Sequence, residues 1–192
     1  ANAPKATAGA KQMAMLRRLP KLLRFIPGTA QDVRIFFLVM QYWLAGSQDN
    51  MSSMVQLLVQ KYASGPRAAL RDRARPQEVI EYPEVGVYHP RMKGRIADDA
   101  RLLPGAKDES KPKVGLLLLR SYLLAGNAGH YDAVITALEE RGLQVIPAFA
   151  SGLDARPAIE QFFQSQGRGR IDALVSLTGF SLVGGPAYND AS

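Results

Sequence analysis

Residues 113–151 have the sequence KVGLLLLRSYLLAGNAGHYDAVITALEERGLQVIPAFAS, and this stretch decides the fold. It starts with an almost unbroken apolar run, Val114 to Leu119, which is typical of a strand buried on both faces of a parallel sheet. A helical stripe of apolar side chains follows, formed by Tyr131, Val134, Ile135 and Leu138. Gly142 is a typical helix stop, and a second apolar run extends from Leu143 to Phe149. The stretch therefore predicts two parallel strands joined through a helix by a right-handed crossover.

The chain after this unit continues the α/β pattern. Pro157 predicts the first turn of another helix, and residues 172–177 predict a third short strand. The apolar face of that helix is formed by Ile159, Phe162 and Phe163. Three parallel strands with crossover helices form half of a doubly wound sheet, so the predicted class is α/β, Rossmann-like or flavodoxin-like. Because an open parallel edge favours aggregation, we expect the strand Val85 to Tyr88, or polypeptide outside this sequence, to complete the sheet.

The N-terminal part of the chain predicts a helical hairpin. Residues 33–45 are apolar nearly all round, with Thr29 as a candidate N-cap and Gly46 as the stop. This run falls short of the ~20 residues that a bilayer-spanning helix needs, so we expect a buried core helix with Trp43 inside the core. Residues 51–62 predict the second helix of the hairpin.

The elements suggest three segments along the chain. Residues 1–66 form a helical segment, which starts with a basic helix at Lys11 to Phe25 that Pro20 kinks or splits. Residues 67–112 form a connector with one short strand, Val85 to Tyr88, and a long loop, residues 91–112. Residues 113–192 form an incomplete α/β domain.

The composition of the 192-residue chain limits its chemistry. It has no cysteine and two histidines, so a disulfide framework and a cysteine nucleophile are excluded, and a zinc site would need carboxylate ligands. The formal net charge is +7, but the two basic runs, Lys11 to Arg24 and Arg67 to Arg75, lack the interleaved aromatic residues of a nucleic-acid-binding module. We therefore interpret them as solvated surface or as contacts for an acidic partner, and predict no nucleic-acid binding.

Ligands of open α/β sheets bind where the parallel strands end. The candidate loops at that edge are residues 120–129, 150–154 and 178–187. The glycine spacing of the first loop does not match the dinucleotide fingerprint, and the sequence contains no P-loop and no nucleophile elbow. Binding of nicotinamide, direct binding of ATP and a serine triad are therefore not predicted. We interpret His130 as a capping or structural residue. For His89 three roles stay open: a titrating group, a metal ligand, or a residue that hydrogen-bonds the long loop after it.

Four stretches of the sequence resemble the large porphyrin-binding subunit of the magnesium chelatases, known as the H subunit. They are FFLVMQYWLAGSQDNM from Phe36, EYPEVGVYHPRM from Glu81, VGLLLLRSYLLAGNAGHYDAVITALEERGLQVIPAFASGLD from Val114, and DALVSLTGFSLVGGPAYNDA from Asp172. The cobaltochelatase large subunit is a more distant relative with the same general plan. Because the family's chain is several times longer, we expect this sequence to be an internal part of its N-terminal half, without a targeting peptide.

The resemblance implies a role in the ATP-dependent insertion of Mg²⁺ into protoporphyrin IX, which is the first committed step of chlorophyll or bacteriochlorophyll synthesis. In the family, the H subunit binds the porphyrin, and two AAA-type partners, the I and D subunits, hydrolyse ATP. Mg²⁺ and protoporphyrin IX would then be substrates of the full subunit. The implied location is the cytoplasm of a bacterium, or the chloroplast stroma of a plant or alga.

The resemblance assigns no catalytic residue and no metal ligand here, because the groups suspected of catalysis in the family lie beyond this sequence. Five loop residues are candidates for contact with porphyrin or with another domain: His89, Arg120, His130, Thr178 and Phe180. We expect the fragment to be inactive alone and to serve as scaffold or as part of the porphyrin cavity wall. Three alternatives remain open: a cobaltochelatase-like segment, a module that docks the ATPase subunits, and a self-contained flavodoxin-like binding domain.

Overall fold

The computed structural model describes residues 18, 20, 22, 23, 28–106, 108 and 110–182. The chain divides into two compact units, Ala1–Glu81 and Tyr82–Ser192. The division lies inside the segment that was predicted to be a connector. Most of the predicted basic helix at Lys11 to Phe25 lies outside the described residues. Among the residues that are described, no helix is both long and apolar enough to cross a membrane.

The first unit contains a helical hairpin. Its helices are α1 (Thr29–Ala45) and α2 (Gln48–Tyr62), and a 3-10 turn (Gly65–Leu70) follows. Gly46 ends α1 in the left-handed conformation, with φ 66°, as predicted. The prediction that Thr29 caps α1 is wrong, because the helix begins at Thr29 itself and no side chain caps it.

Polar side chains join the hairpin to the chain that follows it. The Ser47 hydroxyl caps α2 by accepting a hydrogen bond from the backbone N–H of Asn50. The Asn50 side-chain amide donates to the carbonyl of Ile80 at 2.8 Å and accepts from its N–H at 2.9 Å. The Tyr42 hydroxyl donates to the carbonyl of Gln77. These bonds explain why the extended chain after the 3-10 turn belongs to the first unit.

The core of the hairpin is narrow. Its buried residues are Ile35, Tyr42 and Leu57. Phe36 and Trp43, on other faces of α1, are 58% and 62% exposed. The predictions of a buried core helix and of Trp43 in the core are therefore wrong for this chain. A helix that is apolar all round buries only those of its faces against which other elements pack.

The described part of the second unit contains seven strands. They are β1 (Val85–Tyr88), β2 (Ile96–Ala97), β3 (Lys113–Leu119), β4 (Gln144–Ala150), β5 (Gln164–Ser165), β6 (Arg168–Gly169) and β7 (Ala173–Ser176). Five of them form one sheet of order β2-β1-β4-β3-β7, and β5 pairs with β6. β4, β3 and β7 are parallel, whereas β1 is antiparallel to both β2 and β4. The α/β class and the three predicted parallel strands are confirmed.

Helical segments cover both faces of this sheet. α3 (Arg120–Leu124) and α4 (Gly129–Glu139) connect β3 to β4, and α5 (Arg156–Ala158) follows β4 and continues as a π-helical turn (Ile159–Phe163). One buried cluster includes Leu116, Leu118, Tyr131, Ile135 and Phe149. The other includes Leu117, Ile146, Ala148, Phe162 and Phe163. Successive leucines of β3 therefore point to opposite faces, as expected for a strand buried on both sides.

Residues 91–112, predicted as a long loop, contain β2 and a 3-10 turn (Ala100–Leu102). The connection from β1 to β2 is tight, because the backbone N–H of His89 donates to the carbonyl of Arg95 at 2.9 Å. Arg95 itself has φ 61°, a conformation that residues other than glycine adopt rarely. At the opposite edge of the sheet, all four residues of β7 are exposed.

Candidate functional site

Four of the five candidate residues lie at the carboxyl edge of the parallel strands. Arg120 directly follows β3, His130 lies in the first turn of α4, and Thr178 and Phe180 follow β7, the neighbour of β3. His89 follows β1, which is antiparallel to β4, so it lies towards the amino edge of the parallel strands. The structure therefore groups four candidates at one edge and separates His89 from them.

The Arg120 guanidinium is used inside the second unit. Its Nε donates to the carbonyl of Pro83 at 2.9 Å, and its Nη2 donates to the carbonyl of Tyr82 at 3.1 Å. Burial lowers the pKa of Arg120, and the nearby Glu84 carboxylate opposes that shift. Because arginine stays protonated in proteins, this side chain acts as a cationic clamp between the start of α3 and the chain that enters β1.

Three aromatic rings meet where α3 and α4 begin. The rings of Tyr122 and His130 are edge to face, with centroids 5.4 Å apart, and both residues are exposed. The ring of Tyr131 lies 3.9 Å from that of His130, but Tyr131 is buried and its hydroxyl accepts the backbone N–H of Leu119 at 3.2 Å. Burial raises the pKa of Tyr131, and this backbone bond lowers it. The exposed pair offers a small aromatic surface beside the end of β3, on which a planar apolar ligand can stack.

Thr178 and Phe180 belong to a tight turn after β7. The Thr178 hydroxyl oxygen accepts the backbone N–H of Phe180 at 3.2 Å and lies 3.0 Å from the hydroxyl of Ser176. Gly179, between Thr178 and Phe180, has φ 73°, which glycine adopts without strain. Phe180 is 46% exposed. The turn therefore uses the threonine hydroxyl internally and presents one aromatic side chain to solvent.

His89 is fully buried and is held through both ring nitrogens. Its Nδ1 accepts the backbone N–H of Arg91 at 3.1 Å, which assigns the proton to Nε2, and Nε2 donates to Glu139 Oε1 at 3.0 Å. The Arg91 Nη2 donates to the same carboxylate oxygen at 3.0 Å. This arrangement joins the β1–β2 connection to the last turn of α4. Within the described part of the chain, no group of three His, Asp or Glu side chains is placed to hold a metal ion.

A second polar network beside His89 was not predicted from the sequence. The Tyr88 hydroxyl donates to Asp132 Oδ1 at 2.6 Å, and Arg95 Nη2 donates to Asp132 Oδ2 at 2.6 Å and to the Tyr88 hydroxyl. Burial raises the pKa of Tyr88, the bond to Asp132 raises it further, and Arg95 opposes the shift. Tyr88 and Asp132 are 44 residues apart in the chain, so no local motif signals their contact.

A cavity of about 590 Å³ lies at the amino edge of the parallel strands. Its buried apolar lining is formed by Leu103, Ile146 and Phe162. Polar side chains at or near the starts of three neighbouring strands also line it: Lys113, Gln144 and Arg170. This cavity was not predicted from the sequence, because ligands were expected only at the carboxyl edge. Two polar residues were visible in the sequence: Lys113 directly precedes the apolar run Val114 to Leu119, and Gln144 interrupts the apolar run Leu143 to Phe149.

Two protein-family models match the chain. The model described as CobN/Magnesium Chelatase matches residues 40–192, and a model described as Domain of unknown function (DUF3479) matches residues 2–37. The chain belongs to the CobN/Magnesium Chelatase family. The resemblance stated from the sequence is thereby confirmed, and the family region includes α2 and all of the α/β unit.

Curated relatives in the CobN/Magnesium Chelatase family are named as the H subunit of magnesium chelatase. The chain is 56% identical over 184 residues to the H subunit from Cereibacter sphaeroides, a match that covers 96% of this chain and 15% of the relative. It is 35% identical over 192 residues to the chloroplastic ChlH subunit from Oryza sativa subsp. indica, covering 93% of this chain and 14% of the relative. The chain therefore spans about 15% of the length of the bacterial relative.

Similar solved structures include the catalytic subunit of cobaltochelatase from Mycobacterium tuberculosis. The match has a TM-score of 0.48 and 20% sequence identity. It covers 74% of this chain and 10% of the cobaltochelatase chain.

Proposed function

We propose that this chain is a section of the large porphyrin-binding subunit of a magnesium chelatase, which inserts Mg²⁺ into protoporphyrin IX in chlorophyll or bacteriochlorophyll synthesis. The observation that carries the proposal is the 56% identity to an H subunit over 96% of the chain, which includes both structural units. Mg²⁺ and protoporphyrin IX are then substrates of the whole subunit. The I and D subunits, which hydrolyse ATP, are its proposed partners.

Within that large subunit, the proposed role of the second unit is scaffold and one wall of the porphyrin cavity at the carboxyl edge. His130 and Phe180 offer exposed rings there, and Thr178 orients Phe180 through their shared turn. A flat apolar macrocycle is stabilised by ring contacts of this kind. Arg120 and His89 act indirectly in this proposal, because their donors already have protein acceptors and hold the neighbouring loops in place.

Porphyrin titration of the full-length subunit tests the proposed wall. Phe180→Ala and His130→Ala are each expected to weaken binding of deuteroporphyrin IX by about 2- to 12-fold, because an aromatic contact contributes about 0.5–1.5 kcal/mol. Phe36→Ala is the matched control, since Phe36 is also an exposed phenylalanine but lies in the first unit, and no change is expected. Undiminished affinity in the Phe180→Ala, His130→Ala double variant would show that this edge is not the wall.

A chelation assay tests whether this section depends on the rest of the large subunit. The 192-residue chain, mixed with the I and D subunits, ATP, Mg²⁺ and deuteroporphyrin IX, is expected to form no magnesium porphyrin, whereas the full-length subunit does. The fluorescence of the metallated product is the readout. Turnover by the 192-residue chain would contradict the proposal that the chemistry needs residues outside it.

Docking of the ATPase subunits is a second candidate function, and one observation favours it. Four arginines that follow α2 are all exposed: Arg67, Arg71, Arg73 and Arg75. A surface with an excess of one charge attracts an oppositely charged partner, and the attraction weakens as salt rises. Replacing all four by glutamine in the full-length subunit is expected to reduce salt-sensitive capture of the I or D subunit. Unchanged capture at low salt would exclude this surface as the docking site.

A further inference from the structure

The helical hairpin has a second apolar side, which faces solvent. Exposed apolar residues at successive spacings of three, seven and one positions lie together on one side of α1: Val33, Phe36, Trp43 and Leu44. Ile35 and Tyr42, which form the buried core with α2, lie on the opposite side of α1. α1 is therefore apolar on two opposite sides, and in the described part of the chain one of them is packed and the other is exposed.

The second helix continues this surface. Its exposed apolar residues are Val55, Leu58 and Tyr62, at successive spacings of three and four positions. The Tyr62 hydroxyl donates a hydrogen bond to Asp32 Oδ1 at 2.8 Å, and Asp32 lies one helical turn before Phe36 on α1. This bond places the two exposed stripes side by side where α1 begins and α2 ends. We call the residues of these two stripes the outer face of the hairpin, and none of them is charged.

The outer face is large for an exposed apolar surface. Trp43 is 62% exposed, Phe36 58% and Tyr62 50%. Because an aromatic side chain buries about 150–250 Å² when it is fully covered, these three residues alone expose roughly 350 Å². The largest apolar patch on a typical monomer is about 300–600 Å² and is often functional. Aromatic residues also contribute strongly at the centre of interfaces, so the outer face is suited to contact with another structural element.

The hairpin itself indicates which kind of element covers the outer face. Its described buried core is small, formed by Ile35, Tyr42 and Leu57. A helix that is apolar on two opposite sides is typical of the middle position in a layer of helices, where each side has a partner. An uncharged surface rich in aromatic residues also resembles a permanent contact, which is similar to a domain core cut in half. The outer face therefore fits the apolar stripe of a further helix.

The family comparison indicates which polypeptide supplies that helix. The chain spans 15% of the H subunit from Cereibacter sphaeroides that it matches, so most of that subunit has no counterpart in these 192 residues. The boundary between the two matched family models, residues 2–37 and 40–192, falls inside α1. The outer face crosses this boundary, with Phe36 on one side and Trp43 on the other. A segment of the same polypeptide has a high effective concentration at such a junction, which favours it over a separate molecule.

We propose that the outer face docks an apolar helix from the part of the large subunit outside these 192 residues. Aliphatic and aromatic side chains make this contact, so burial of apolar surface stabilises it and salt has little effect on it. The inference rests on the proposed function in one respect, that the chain is a section of a longer subunit. It does not involve the porphyrin or the proposed cavity wall.

Hydroxyl-radical footprinting, read residue by residue by mass spectrometry, tests the contact. The full-length subunit and the 192-residue chain are compared at concentrations where light scattering shows each to be monomeric, and an added peptide calibrates the radical dose. Oxidation of Phe36, Trp43 and Tyr62 is expected to be about 5-fold or more slower in the full-length subunit, because docking excludes water from these exposed rings. Equal oxidation rates in the two proteins, whether fast or slow, would overturn the proposal.

Two variants on α2 separate a packed contact from a general effect of added charge. Val55→Glu places a carboxylate in the outer face, whereas Ser52→Glu places the same group on another side of α2, at a residue that is also exposed. In the full-length subunit, Val55→Glu is expected to raise the oxidation of Trp43 towards its rate in the 192-residue chain, because burying an unpaired charge is costly. Ser52→Glu is expected to leave that rate unchanged. A Trp43 rate that stays low in full-length Val55→Glu would contradict the docking.

The same footprints distinguish other occupants of the outer face. Protection that rises with protein concentration, together with a dimer in light scattering, would assign the face to a second copy. Protection that needs added I or D subunit would assign it to that partner, and either result would overturn docking by the same polypeptide. Magnesium chelation by that full-length subunit would then leave the proposed function intact. A protected face in a full-length subunit that forms no magnesium porphyrin would reject the proposed function and support the docking.

Discussion

Replacement of Gly86 by alanine is expected to destabilise the second unit strongly. Gly86 lies in β1 between β2 and β4, and a Cβ there would be 2.6 Å from the carbonyl oxygen of Ala97 and 2.7 Å from the ring of Phe149. The carbonyl is backbone of the paired strand β2, and the Phe149 ring is fully buried, so neither can move aside freely. Overpacking costs about 1–3 kcal/mol, and a backbone clash lies at the upper end. The lower entropy of the unfolded alanine chain offsets only about 0.4–1 kcal/mol, which leaves about 2 kcal/mol or more.

Two other glycines provide matched controls for this prediction. A Cβ at Gly115 would be 2.7 Å from the terminal carbon of Ile171 and 3.1 Å from the Phe163 ring, and because a side-chain terminus can rotate we expect a smaller net loss of about 1 kcal/mol. A Cβ at Gly129, the first residue of α4, would meet nothing within 4 Å, so Gly129→Ala is expected to be neutral or to stabilise by up to about 1 kcal/mol.

Urea unfolding followed by far-UV circular dichroism measures the stabilities of the three glycine variants. A loss of about 2 kcal/mol lowers the midpoint by about 0.7–2 M urea, given a slope of about 1–3 kcal/mol/M. Hydrogen exchange should show the weakened protection first in β1 and β2, because the clash is with Ala97. A Gly86→Ala midpoint equal to that of Gly129→Ala would refute the argument from close backbone approach.

Four further replacements test other parts of the fold. Tyr88→Phe should flatten the fall in stability at alkaline pH. The pKa of Tyr88 is raised in the folded protein, so the unfolded chain ionises first, and the stability that Tyr88 contributes is complete below pH 10.0 and decreases above it. An unchanged dependence of stability on pH in urea titrations would contradict this. Glu139→Leu should cost about 1–3 kcal/mol by leaving the buried His89 Nε2–H without an acceptor, whereas Glu140→Leu on the exposed side of the same turn should stay within about 0.5 kcal/mol. Ile135→Ala should cost about 2–5 kcal/mol in thermal or urea unfolding, since Ile135 is fully buried, and a loss under 1 kcal/mol would refute its place in the core. Trp43→Ala should change the free energy of unfolding by no more than about 0.5 kcal/mol, because the side chain is exposed. Acrylamide should also quench the fluorescence of Trp43 efficiently in the wild-type chain.

The β3–β4 unit could be predicted closely because its signals are local. Val114 to Leu119 and Leu143 to Phe149 are long apolar runs. The strands that form are Lys113–Leu119, which starts one residue earlier than the first run, and Gln144–Ala150, which is shifted by one residue from the second. The helical hairpin was predicted in outline, but the exposure of Trp43 was not. Periodicity shows that a helix is apolar, and only the number of neighbours that pack on it decides how much of it is buried.

The sequence predicted the edge of the sheet at which most candidate residues lie, but not the hydrogen bonds that they make. The rule that ligands bind where parallel strands end placed Arg120, His130, Thr178 and Phe180 correctly at one edge. Their contact with porphyrin stays a prediction. The acceptors of Arg120 are carbonyl groups 37 and 38 residues earlier in the chain, and the acceptor of His89 is 50 residues later. Hydrogen-bonded partners so far apart in the chain cannot be predicted from the spacing of neighbouring residues.

The sequence by itself determined the parallel β3–α4–β4 unit and the family, because strand runs, helical stripes and stretches of family sequence are properties of neighbouring residues. The tertiary structure decided which polar groups are already satisfied and which are available. It made His89 and Arg120 internal clamps, left Phe180 and Trp43 exposed, and formed the amino-edge cavity with Gln144 in its lining. The physical reason is that burial and hydrogen-bond satisfaction depend on segments that are distant in the chain and adjacent only after folding.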